Sequence, residues 1–412
     1  MKATATLRSG QPVWLHEKRG RSAPRFAALK GAEECDVVIV GGGMTGVLAA
    51  VALSAAGVNV CVLEAATVGR GSTAASSALL LQEPDYGMRE LAGRYGAATS
   101  VRMWQLSRSA VRDFITLMRR LRIACDLEMR PAVHYASDSQ AERRLRAEFE
   151  MRTNAGFDAK WLGPRALREA TGIAGRAAIR TSGNAQFDPL KACCGLIRTA
   201  ATNGARVFEQ SRVTRIVQTG TGVRLHTKAG RIDAARVVIA TGYATPSFRP
   251  LAGKFRLFHT YVLATEPLSE RQRREVGLSR VMTWETARPY HYSRWTADHR
   301  LLLGGGDRPV RSGQRRDYRR ARDLQDVRDH FERLWPALAD VHISSAWEGL
   351  FATTPDSLPY IGPHARYPNH LFALGYGGNG MTFSFLAARM LLEQWHGVDS
   401  PDHRLFRFAR VR

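Results

Sequence analysis

The sequence predicts an α/β fold, a Rossmann-type parallel sheet joined to a second domain built on an antiparallel sheet. Three observations predict it. Val37-Val38-Ile39-Val40 is a short β-branched run that enters a glycine turn and then a helical stretch, as a parallel strand covered on both faces requires. Two later runs, Val237–Gly242 and Leu371–Gly375, are apolar and also close on glycine. Between them lie segments of period-2 character, the mark of antiparallel strands with one buried face.

Taken in order, residues 1–34 read as a surface extension, since MKATATLRSGQPVWLHEK lacks the apolar stretch of a secretory signal. Val37–Leu63 then runs for 27 residues without a charge, long enough for a membrane span. Its glycines, Thr45, Ser54 and Asn59 break that reading. The pattern is strand, turn, helix (Val47–Ala56), Gly57, and a second strand (Val58–Leu63) that ends at Glu64. Gly41, Gly43 and Gly46 spell GxGxxG in that context. The first glycine permits the tight turn, the second lets the backbone approach a pyrophosphate, and the third lets helix and strand pack closely. Glu64 is placed to accept a ribose hydroxyl, which a merely structural glycine turn would not explain.

Arg89–Leu121 and Gln140–Asn154 read as amphipathic helices. Glu128–Ala136, Phe255–Thr265, Val281–Glu285, Arg288–Trp295 and Leu301–Gly306 read as strands. Asp317–Trp335 is a helix whose inward stripe is Leu324, Val327, Phe331 and Leu334. Gly375, Gly377 and Gly380 repeat the GxGxxG spacing, with Asp399 beyond. No strand follows that helix and Pro401 interrupts, so a second dinucleotide site is rejected.

The 60 basic residues outnumber the 37 acidic ones, for a net charge of +23, and all but 7 of them are arginine. Aspartates interleave with the arginines of the Asp317–Trp335 helix, which reads as a solvated, salt-bridged face rather than an RNA patch. Nucleic acid is therefore not expected as a partner, and no transmembrane segment is expected. Cys35, Cys61, Cys125, Cys193 and Cys194 form no CxxC pair, so they are expected to be reduced thiols in a cytoplasmic protein. The 12 histidines show neither HxxxH nor HExxH spacing, so no metal site is expected.

Together these pieces resemble the D-amino acid oxidase/sarcosine oxidase family of FAD-dependent oxidoreductases. The resemblance rests on the Gly41–Gly46 fingerprint with Glu64, on Gly69–Ser76, Phe187-Asp188-Pro189, Ala240-Thr241-Gly242 and Tyr261–Leu268, and on Trp347–Gly362 and Gly375–Ser384. It implies a two-domain flavoprotein. An FAD-binding domain would be assembled from residues 35–85, 186–248 and 352–412, and a substrate domain from 86–185 and 249–351. It implies cofactor contacts at Gly41, Gly43, Met44, Thr45, Gly46, Glu64 and Ala65, and at Gly71, Ser72, Thr73 and Val213. It adds Ala240, Thr241 and Gly242, then Gly377, Gly378, Asn379, Gly380, Met381 and Thr382. At this last turn, main-chain amides and a helix dipole would stabilise negative charge on the flavin.

The implied activity is oxidation of a C–N bond by hydride transfer to flavin N5, giving an imine that hydrolyses. Substrate-side candidates are His259 and Tyr261 on one strand, Tyr292 and Arg294 (with Tyr290) on another, and Tyr376 at the last turn. Core packing, or an ion pair for Arg294, is the competing reading of each. Members acting on small amino acids carry an arginine where Phe351 stands here, and a lysine where Thr382 stands. The surroundings of Trp347, Gly349 and Thr354 resemble the γ-glutamylputrescine oxidase-like branch, so an amine without an α-carboxylate is expected. Arg294 is the residue that would replace the missing clamp. FAD is expected to be non-covalent, because Ala75 replaces the histidine that tethers flavin in some relatives and no cysteine follows Cys194. Oxygen, or a quinone or other carrier, is the expected acceptor, and Leu302 standing where sarcosine oxidases place a lysine argues for slow oxygen use. The alternatives are a D-amino acid or N-methyl amino acid dehydrogenase using another acceptor, a flavin-dependent tRNA-modifying enzyme, and a flavin subunit of a multi-chain dehydrogenase.

Overall fold

A computed structural model describes residues 7–15, 24–244, 248–251, 253–277, 280–310 and 316–410. The first sheet is built around the long strand Gly230–Gly242. Gly31–Val40 pairs with it in parallel, followed by Val60–Leu63 and Arg206–Phe208. On its other side, the first half of Gly230–Gly242 pairs antiparallel with Val223–His226, and the second half pairs in parallel with Tyr367–Leu374. Val38, Val60, Val62, Val237 and Val238 are completely buried. The helices Met44–Ala55, Pro189–Thr202 and Gly380–Trp395 pack with this sheet in one core.

The second sheet has nine strands, in the order Arg8–Gly10, Ile343–Thr353, Arg256–Thr265, Leu301–Pro309, His291–Trp295, Met282–Glu285, Ala132–Ala136, Ala177–Thr181, Lys160–Leu162. Its two faces meet different neighbours. Val262, Ala264, Leu302 and Trp347 pack on Ala75 and Leu190 of the first domain. Tyr261, Leu263, Leu301 and Leu303 pack on Val327 and Phe331 of the helix Arg316–Leu334. The expected inward stripe of that helix is therefore found, with Leu324 and Leu334 at its margin.

Several sequence-based boundaries move for identifiable reasons. The fingerprint helix starts at Met44, directly on the glycine turn. The single helix expected over Arg89–Leu121 is two, Met88–Tyr95 and Ala97–Arg120, because Gly96 takes φ +83° between them. Pro289 denies a strand to Arg288–Tyr290, so that strand begins at His291. The surface reading of residues 1–34 is overturned in part. Arg8–Gly10 forms the edge strand of the second sheet, Val13 and Trp14 are buried, and Trp14 Nε1 donates to the Ser76 carbonyl at 3.0 Å. Among the described residues no helix is long and apolar enough to cross a membrane.

Candidate active site

The glycine turns converge at the C-terminal ends of the parallel strands, where open α/β sheets hold ligands. A Cβ on Gly46 would overlap the Gly41 carbonyl, and one on Gly41 would lie 2.5 Å from the Ala240 carbonyl oxygen. Glycine is required at both positions for the chain to close this tightly. Glu64 Oε2 accepts Gly42 N–H and Oε1 accepts Ala66 N–H, each at 2.8 Å, which fixes the carboxylate at the strand end beside Ala65. Thr73 Oγ1 accepts Met44 N–H at 2.9 Å, and Ser72 Oγ donates to Leu350 O at 3.0 Å. The short helix of Ser72 and Thr73, which Gly71 precedes, is thereby set against the fingerprint. Ser211 N–H donates to Glu64 O, bringing the loop that carries Val213 to the same edge. Gly375 N–H donates to Gly242 O at 2.9 Å, joining the Ala240–Thr241–Gly242 end to the last turn.

Two helix N-termini face this edge without a side-chain cap. Gly43 precedes Met44–Ala55, and Asn379 precedes Gly380–Trp395. Asp138, Asp188 and Ser269 cap their helices through the side chain, whereas Gly71, Gly87, Gly96 and Gly163 precede theirs without one. Apart from Met44 N–H, which Thr73 takes, first-turn amides and a helix dipole suit a pyrophosphate at the first terminus, and an electron-rich ring carbonyl at the second. The residues present thus fit a flavin dinucleotide. Asn379 Nδ2 donates to Leu81 O and Glu83 O, and Thr382 Oγ1 donates to Leu81 O, so the last turn is fastened to the segment that leads to Asp85.

The match of residues 36–394 to the FAD dependent oxidoreductase (DAO) family decides the assignment. The chain belongs to that family. The convergence of glycine turns just described is its candidate FAD site. It is 29% identical to the γ-glutamylputrescine oxidoreductase of Escherichia coli over 384 residues, covering 90% of this chain and 86% of that protein. It is 25% identical to the probable oxidoreductase OrdL of Haemophilus influenzae, covering 94% and 88%. The crystal structure of glycine oxidase from Geobacillus kaustophilus superposes with a TM-score of 0.76 at 20% identity, covering 92% of this chain and 97% of that one. That likeness shows the fold.

One face of the second sheet packs on Ala75, towards the candidate FAD site, and this sorts the five candidate catalytic residues. Tyr292 lies on it. Its hydroxyl meets Ser77 and Thr260, and burial pushes its pKa up to about 12. Arg294 lies on the same face, but Nη1 donates to the carbonyls of Ser77, Ala78 and Phe187 at 2.8–3.0 Å. The guanidinium also sits over the Trp14 ring, and the residue is 2% exposed. The expectation that Arg294 reaches a substrate gives way to a structural role. His259 and Tyr261 lie on the opposite face, a correction that follows from strand alternation. Tyr261 Oη donates to Asp323 of the Arg316–Leu334 helix at 2.7 Å, and His259 Nδ1 is 3.9 Å from Glu348. Tyr376 is buried, with Thr45 of the fingerprint helix beside its hydroxyl.

Two carboxyls absent from the sequence-based set stand beside Tyr290 and Tyr292. Asp85 accepts Gly378 N–H at 2.6 Å, and a Cβ on Gly377 or Gly378 would crowd its carboxylate. A Cβ on Gly378 would also overlap the Tyr290 hydroxyl. Asp307 reaches the side that packs towards Ala75 through a bulge. Tyr261 pairs with Gly305 but His259 pairs with Arg308, so the Leu301–Pro309 strand holds one extra residue there. Gly305 and Gly306 take φ +128° and +62° to form it. Strict alternation from Leu301 and Leu303 would point Asp307 at the helix; the bulge instead sets it against Thr260. Burial pushes both Asp85 and Asp307 up to about 6, with Gly378 N–H and Thr260 pulling them back. Arg288 is the cation at the margin, with Nη2 donating to the Asp85 carbonyl at 3.0 Å and its guanidinium 5.1 Å from the Tyr290 ring centre. Phe351 stacks on Phe258 at 5.8 Å.

Proposed function

We infer that this enzyme oxidises a C–N bond of a primary or secondary amine whose reacting carbon bears no carboxylate. FAD, when bound, takes the hydride from that carbon. The chain's own tasks are to hold the amine in its neutral form, aim its α-carbon, and exclude water until the imine is released to hydrolyse. One observation carries the reading: the side chains gathered by the last glycine turn are Asp85, Asp307, Tyr290 and Tyr292, while Arg294 is consumed by main-chain carbonyls. A substrate carboxylate set between two carboxylates loses its hydration without a partner, a cost of several kcal/mol. A distal ammonium gains two partners and two aromatic faces. The reading also accords with the activity named for the Escherichia coli relative. The acceptor follows from Leu302, buried on the flavin-facing side with no cation in its place, which favours a quinone or other carrier over oxygen.

A second reading rests on Arg288, which could clamp an amino acid carboxylate from the pocket margin. Anaerobic flavin bleaching separates the two. Putrescine, N-acylated diamines and benzylamine should reduce the flavin faster than D-alanine, sarcosine and glycine, in the wild type and in Arg288→Met alike. If the amino acids win, and Arg288→Met removes their advantage, the amino acid reading holds.

A further inference from the structure

A second cluster of ligand-type side chains lies on the other face of the substrate-domain sheet. Glu285 ends the strand Met282–Glu285, His291 opens the strand His291–Trp295, and His330 comes from the helix Arg316–Leu334. Thr283 pairs with Ser293 and Trp284 with Tyr292, so the next positions along, Glu285 and His291, share the face turned away from Tyr292 and towards that helix. One ligand atom from each of the three lies within 4.8 Å of the others. His291 Nδ1 is 2.6 Å from Glu285 Oε1, and His330 Nε2 is 3.8 Å from Glu285 Oε2. The two imidazole rings stack nearly parallel, with centroids 3.8 Å apart, so one ring must turn for both to ligate a shared ion in the ring plane. The side chains are only 7–17% exposed.

His330 Nε2 carries the argument. It is buried, accepts and donates no hydrogen bond, and faces a carboxylate oxygen beyond hydrogen-bond reach. A buried polar atom left in that state needs an explanation, and a cation between nitrogen and carboxylate supplies one. Two imidazoles and one carboxylate with an open position form the donor set of zinc-type sites. A cavity of about 240 Å³, lined by His291, Asp323, Asp326 and Asp329 among others, adjoins the cluster. Arg308, paired with Asp323 and Asp326, and Arg333 also line it, and it leaves room for water ligands.

We propose that Glu285, His291 and His330 bind one divalent transition-metal ion of zinc-like, borderline character. The ion pins the Arg316–Leu334 helix to the segment that presents Tyr290 and Tyr292 on the opposite face. No spacing motif announces the site, because two strands and a helix each supply one ligand. Its outcome is independent of the amine assignment, since the readout is metal.

The test uses the flavin-loaded enzyme, stripped with a chelator and titrated with Co²⁺. A ligand-field band to the red of the flavin absorption should saturate at one ion per chain and be displaced by Zn²⁺. Glu285→Gln and His330→Gln should each weaken binding by at least about tenfold with flavin content unchanged. Glu285 also accepts the His291 main-chain N–H at 2.9 Å; if its variant fails to fold, His330→Gln decides. The proposal is overturned by a wild type that shows no stoichiometric band, by a band that survives His330→Gln, or by one lost instead in Asp326→Asn/Asp329→Asn.

Discussion

Arg294 lies on the side of its strand that packs towards Ala75, yet four main-chain carbonyls and the face of Trp14 consume its guanidinium. Burial pushes its pKa down to about 10, so it stays charged at neutral pH. Arg294→Met should therefore cost on the order of 3 kcal/mol, because the buried carbonyls lose their donor. The melting temperature should fall while the ratio of amine to amino acid turnover stays fixed; a selective loss of amino acid turnover would restore the clamp. Asp85 and Asp307 act in the other direction. Both are pushed up to about 6, so they are charged above that pH and neutral below it. The specificity constant for a diamine should rise with pH through about 6, and Asp307→Asn should blunt that limb; an unchanged profile would mean the carboxyls do not meet the substrate. Composition and period gave Tyr292 and Arg294 a shared face correctly. They could not say which face the cofactor occupies, and so placed His259 and Tyr261 with the substrate. Asp85 sits in a loop without periodicity, and Asp307 is inverted by a glycine bulge whose only trace is the run Gly304-Gly305-Gly306.

At the level of elements, the fingerprint was legible because its demands are local. Gly46 stands where any side chain would overlap the Gly41 carbonyl, and Gly46→Ala should abolish flavin retention, read as loss of the 450 nm-region absorbance (roughly where oxidised flavins absorb) on gel filtration. Retention of full flavin content would show that helix and strand can separate. The Trp347–Gly362 segment was legible as a motif but not in its use. Asp356 receives both Nε and Nη2 of Arg410 at 2.7 and 2.9 Å, together with Tyr95 Oη and Thr354 Oγ1. Burial alone would raise its pKa, but Arg410 and the hydroxyls hold it below the ordinary carboxylate range. The folded pKa being the lower one, this clasp stabilises fully above the unfolded value of about 3.9 and is lost as pH falls through the folded value. Asp356→Asn should lower the melting temperature at pH 7 and narrow the gap from wild type in acid. A gap that widens in acid would contradict the sign.

Across the whole molecule, the candidate flavin site is assembled from segments far apart in sequence, and the N-terminal strand Arg8–Gly10 forms one edge of the second sheet. All five cysteines are buried free thiols, and Cys193 Sγ, beside the fingerprint turn, donates to the Gly42 carbonyl at 3.7 Å; the expectation of a non-covalent flavin rests on Ala75. Acid precipitation should release the flavin into the supernatant, and yellow colour in the pellet would contradict a non-covalent cofactor. The parallel strands could be read because apolar runs ending in glycine are conspicuous in sequence. The substrate pocket could not, because it is made where two domains meet and its polarity depends on which side chains are already engaged. The most direct test compares a matched pair, an alkylamine and the amino acid that differs from it only by an α-carboxylate, by the rate of anaerobic flavin reduction in the wild type. Reduction by the amine at least about tenfold faster, near the 1.4 kcal/mol that separates one decade of rate, is the result expected of a pocket lined by Asp85 and Asp307. Faster reduction by the amino acid would contradict it.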